Sequence, residues 1–222
     1  MKKQFVLAFA IAISVSVSAQ KIKVKESNEN IGGGNHNAIT VTLYDISPSD
    51  AADAFRSFIK KYDGKRSSLD GGVFSDNATI KDMGNNTIDI YGKAQGKKGD
   101  PEISFVIAFD LGGAFLNSSD HKDQYKVAEK IAKEFAINTC KEIVEQKLKD
   151  AQKKQSGLED EQQDLEKENR SLTSDIEDYK SKIKKAEDNI VTNKSNQEKK
   201  KAEIETQKKA VSEVETKLKS IE

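Results

Sequence analysis

From Ala38 the chain alternates. Ile39, Val41 and Leu43 are apolar while Thr40, Thr42 and Tyr44 between them carry polar atoms, the period of a strand with one buried face. The period then changes to that of a helix. Ser47 is placed to cap it, Pro48 occupies the first helical position, Asp50 follows three residues after the cap, and Gly64 lies just past the end. Ala51, Ala52, Phe55, Phe58, Ile59 and Tyr62 recur at helical spacing, so one side of this helix is expected to pack on a sheet. Three more strands are predicted at 72–81, 87–92 and 102–113, the last being strongest because Ile103, Phe105, Ile107, Phe109 and Leu111 share one face. Ser118, Ser119 and Asp120 offer caps for a second helix beginning near Lys122, with a core-facing stripe of Ala128, Ile131, Ala132, Phe135, Ala136, Cys140 and Ile143. These elements predict an α+β head over residues 38–147, a small antiparallel sheet with two helices on one face.

Beyond residue 147 the helical pattern continues, now with a seven-residue period. One frame places Ile176, Ile183, Ile190, Ile204, Val211 and Leu218 at its first seam position, called a, together with the polar Gln155, Gln162, Asn169 and Gln197. The same frame places Leu158, Leu165, Leu172, Tyr179, Val214 and Ile221 at the second seam position, d, together with Ala151, Ala186, Asn193, Lys200 and Gln207. The frame holds over about ten heptads, so residues 148–222 are expected to form a coiled coil and the chain to be a homo-oligomer through it. Two packings compete. A helical hairpin turning near Ser195 would set Leu172 on Leu218 and Ile176 on Val214. A parallel homodimer would set Lys154 by Glu159, Asp175 by Lys180, Lys182 by Glu187 and Glu203 by Lys208, against one repulsive pair, Glu161 with Glu166. Each exposed pair is worth about 0–1 kcal/mol, so the unbroken register, and the lack of any Gly or Pro near Ser195, favour the continuous rod over the hairpin.

The other end of the chain has a different character. Lys2 and Lys3, an apolar run from Phe5 to Val17 and the small-residue site Val17-Ser18-Ala19 predict a signal peptide over 1–19 and a secreted or periplasmic mature protein. The run of about 13 apolar residues is short of the roughly 20 that span a bilayer, and the mature chain is expected to have no transmembrane helix. Residues 20–37, ending in IGGGNHN, are polar and glycine-rich; they are expected to form a flexible linker with room for a short strand at KIKVK.

Composition narrows the chemistry. Lys+Arg and Asp+Glu both number 37 of 222 residues, so the global charge gives no reason to expect nucleic acid. The single cysteine, Cys140, forbids an internal disulfide and is expected to be a small core residue, and neither histidine, His36 or His121, is spaced to serve it as a base. The stretch GKAQGKKG resembles a phosphate loop, but its spacing is one residue short, Lys98 stands where Ser or Thr should be, and it joins two strands. Its Lys93, Lys97 and Lys98 remain a candidate anion patch, to which Lys60, Lys61, Lys65 and Arg66 could add; an acidic envelope polymer or an envelope protein would suit it. His121 between Asp120 and Asp123 is explained by a helix start, and Asp110 before Gly112 and Gly113 by a tight turn. No catalytic, metal or cofactor site is read from the sequence.

NTIDIYG and FDLGGAFLNSSDH, followed by a tail rich in lysine and glutamate, resemble small secreted coiled-coil proteins of unassigned function from Bacteroidota-type bacteria. That resemblance implies a cell-envelope setting and brings no activity with it. The expectation is thus a non-enzymatic interaction or scaffold protein that self-associates through its tail, the alternative being a ligand-binding module oligomerised by the coil.

Overall fold

Ile103, Phe105, Ile107 and Phe109 lie on the central strand of an antiparallel sheet, and all four are buried. The computed structural model describes residues 21–221; the segment expected to be a signal peptide lies outside them. Strands β1 (Val24–Ile31), β2 (Gly34–Tyr44), β3 (Lys65–Leu69), β4 (Gly72–Ala78), β5 (Ile88–Gln95) and β6 (Glu102–Asp110) form one sheet in the order β1-β2-β6-β5-β4-β3. Helix α1 (Pro48–Phe58), continued by a 3-10 turn at Ile59–Tyr62, and helix α2 (Lys122–Lys219) complete the secondary structure of the described residues with a short 3-10 turn at Lys81–Met83. The chain divides into two compact units between Asp150 and Ala151.

The first unit is α+β, with α1 and the start of α2 sharing one face of the sheet. α1 begins as its sequence dictates: the Ser47 hydroxyl accepts the Asp50 N–H and Pro48 sits in the first turn. Phe55 of α1 meets Phe135 of α2 at 5.0 Å, nearly edge-on, and both meet Phe105 of β6 at 4.9 and 5.0 Å. Aromatic rings at such spacings add about 0.5–1.5 kcal/mol per pair to the burial itself. Along α2 the buried stripe is Ala128, Ile131, Ala132, Phe135, Ala136 and Thr139; Cys140 and Ile143 are only half-buried. Small alanines at every turn let the helix approach the sheet closely.

The opposite face has a smaller core of Ile31, Ala38, Val106 and Ala108, roofed by Tyr91 and Phe115. After β6 the chain doubles back: Asp110 Oδ1 accepts the N–H groups of Gly112 and Gly113, and the Leu116 N–H donates to the Phe109 carbonyl. Neighbouring residues thereby serve both cores, Leu116 the main one and Phe115 the smaller.

Within the segment 20–37, expected to be a flexible linker, residues 24–37 instead form strand and turn. Val24 to Ile31 pair residue for residue with Val41 to Gly34, and Gly32 and Gly33, at φ 67° and 86°, make the two-residue turn between the strands. Both turn residues need positive φ, which glycine adopts freely, so the glycine run is hairpin chemistry. The head therefore includes this hairpin, and its sheet has six strands where the hydrophobic pattern marked four. The turn into α2 is closed by Asn117, whose Oδ1 accepts the N–H groups of Ser119 and Asp120, in place of the expected serine and aspartate caps.

Candidate interaction surface

The second unit, Ala151–Glu222, is helical through Lys219 and includes residues 193–196, where the alternative reading placed a hairpin turn. Its residues are mostly Lys, Glu, Gln, Ala and Leu, good helix formers, and it has one internal glycine, Gly157, with nothing nearby to fill. Lys–Glu or Lys–Asp pairs three apart brace it: Lys167 with Asp164, Lys180 with Glu177, Lys201 with Glu198 and Lys208 with Glu205, at 2.7–3.0 Å. Such exposed pairs add a few tenths of a kcal/mol each. They hold the helix locally but bury no apolar surface.

The seam residues stand out against that background. Leu158, Leu165, Leu172, Ile176, Tyr179, Ile183, Ile190, Ile204, Val211, Val214, Leu218 and Ile221 are all exposed, from 46% at Val211 to 76% at Ile221. The polar seam residues bond within their own helix: Gln155 to Glu159, Gln162 to Glu166, Gln197 to Asn193, and Lys200 to Glu203. A helix of 3.6 residues per turn lets a seven-residue stripe drift by about 20° per heptad, so only a supercoiled partner keeps the whole stripe covered.

The lysine segment lies elsewhere. β5 and β6 are joined by a turn in which Gly96 and Gly99 have φ 147° and 99°. Lys97 and Lys98 are exposed in that turn, whereas Lys93 is half-buried on β5 opposite Val106, on the face away from the helices. The Lys97 backbone N–H donates to Asp100 Oδ2 at 2.8 Å, so the turn contains a carboxylate of its own. Of the outlying basic residues, Lys61 is already paired with Glu134 at 2.9 Å and rests on the Phe58 ring.

One hollow escaped the sequence reading. A groove of about 470 Å³ is lined by Tyr62, Asp82, Lys130 and Glu134 among others, brought together from the end of α1, the loop before β5 and helix α2. Burial, aided by Glu134 and Asp82, pushes the Tyr62 hydroxyl above its ordinary range, so the phenol stays a neutral hydrogen-bonding group. Residues this far apart in sequence leave no spacing to recognise. His36 stacks on Phe115 at 3.7 Å on the smaller core, while Cys140 packs against the main one on the helix-covered side. Among the described residues, no three His, Cys, Asp or Glu side chains gather closely enough to hold a metal ion, and no helix is long and apolar enough to cross a membrane. No protein-family model, curated protein or solved structure matches the chain.

Proposed function

We propose that the protein is a non-enzymatic interaction protein of the cell envelope or its exterior, which self-associates through the C-terminal helix and so spaces or scaffolds the partners of its head. The observation that carries this reading is the exposed stripe: twelve apolar side chains in one heptad frame, on a helical unit that has no core. Covering one such side chain is worth about 1.5–3 kcal/mol, and a second helix in the same frame would cover them in sequence. The N-terminal export pattern supports an extracytoplasmic setting. Multi-angle light scattering and circular dichroism on the mature chain at micromolar concentration test the proposal. The expected result is an oligomer with a fully helical tail; a monomer would sink it.

A further inference from the structure

We propose that the helical unit Ala151–Glu222 pairs with one second copy of this chain, parallel and in register. The inference rests on the self-association reading and adds the number of strands, their direction and their alignment, none of which that reading needs.

The shape of the seam residues points to two strands. From Ile176 on, the a position carries the β-branched Ile176, Ile183, Ile190, Ile204 and Val211, and in the three heptads before them the d position carries Leu158, Leu165 and Leu172. Side chains at a and d meet a parallel two-stranded partner at different angles, and β-branched a with leucine d is the combination that two strands favour. A buried asparagine at a has the same effect, because two amides can bond across a two-stranded axis and any shift buries each against an apolar side chain. Asn169 occupies that position.

Alignment follows from which layers meet. In register, every layer meets its own copy, so Gln155, Gln162, Asn169, Asn193 and Gln197 all find polar counterparts. The antiparallel overlap that pairs Ala151 with Leu218 would instead set Ile176 against Asn193, Leu172 against Gln197 and Gln155 against Val214. Each mixed layer leaves a polar group against an apolar one.

The flanking charges agree. The parallel alignment gains Lys154 with Glu159, Asp175 with Lys180, Lys182 with Glu187 and Glu203 with Lys208, and has Glu161 facing Glu166 as its one like-charge pair. The antiparallel overlap gains Glu159 with Lys208, Glu166 with Lys201 and Lys180 with Glu187, but it also sets Lys154 by Lys217 and Glu168 by Glu203, so it has more like-charge pairs and fewer attractive ones. The cost of the parallel alignment is Lys200, which approaches its own copy. Its ammonium bonds Glu203 of its own helix, the carboxylate that also faces Lys208 of the second copy, so the charge of the layer is offset in part.

The test uses the full chain with Cys140 replaced by alanine, carrying N169C, oxidised in air after its mass has been measured. A disulfide closes only where two Cα atoms approach within about 7 Å, which for a single seam position requires the parallel in-register pair. The expected result is a dimer by light scattering that converts to a covalent dimer. A second variant, C140A with I221C carrying donor and acceptor dyes, should show strong energy transfer, because parallel strands bring both C-terminal ends together. A dimer without disulfide or energy transfer, or a trimer or tetramer, overturns the inference while leaving self-association standing. A monomer overturns both.

Discussion

The Phe55 ring occupies the space that a side chain at Gly92 would need: a Cβ on Gly92 would fall well inside contact distance of the ring's Cδ1 and Cε1 and 3.1 Å from Phe105. The glycine that opens the phosphate-loop look-alike therefore serves packing between α1 and β5. Gly92→Ala should destabilise the head by about 1–3 kcal/mol, read as a lowered urea midpoint, since overpacking forces side chains off their rotamers. Adding Phe55→Ala should recover part of that loss, a coupling that a purely local backbone effect at Gly92 would not produce.

Glu26 ties the first strand to the loop before α2. Its Oε1 accepts from Asn37 Nδ2 and from the Ser118 N–H, and Asn37 also donates to the Leu116 carbonyl. Partial burial works against the charged carboxylate, but the hydrogen bonds from Ser118 and Asn37 outweigh it and hold the group below its ordinary value of 4.5. A depressed folded-state pKa gives stability that is present above the unfolded value and lost as pH falls through the folded one. Between pH 5 and about pH 3 the wild type should therefore lose more stability than Glu26→Gln. Urea midpoints across that window measure it, and parallel curves would contradict it.

Ile183 lies in the seam at 58% exposure and belongs to neither hydrophobic core of the described residues. Ile183→Asp should leave the thermal melting of the head unchanged while weakening self-association by about a hundredfold or more, because the aspartate would be buried without a partner. Sedimentation at several concentrations separates the two effects. A variant that assembled as well as wild type would show that the seam is not the contact.

Cys140 is half-buried against the main core, and burial raises its thiol pKa; the hydrogen bond with the Tyr44 backbone opposes the rise and Asp45 adds to it. Alkylation near pH 8 should be slower in the folded protein than in urea, where the thiolate fraction and access both increase. Equal rates would mean that the thiol is not sheltered as the structure has it.

The parts legible in the sequence were those where burial imposes a period. β6 and α1 could be read because Phe105 and Phe55 recur with neighbours on one face, and the tail because its frame never slips. β3 and most of β1 were illegible for the complementary reason. KRSSL and most of VKESNENI lie at the two edges of the sheet with little apolar content, so the pattern showed only the start of β1, at KIKVK, and nothing of β3. Gly32 and Gly33 were visible, but a glycine pair indicates a hairpin only once the strand before it is recognised. The groove at Tyr62 depends on tertiary placement throughout, whereas the heptad stripe depends only on local periodicity, which is why the stripe could be proposed from sequence and the groove could not.

The sheet's two borders are guarded by charge: Lys25, Glu26 and Glu29 on β1, Lys65 and Arg66 on β3. Unpaired strand margins invite further strands to join, and ionic side chains are a common deterrent to such fibre-like growth. Any assembly that gathers many copies raises the local concentration of heads to levels at which an unguarded margin would aggregate. Molecules crowded together in this way can remain separate, soluble units.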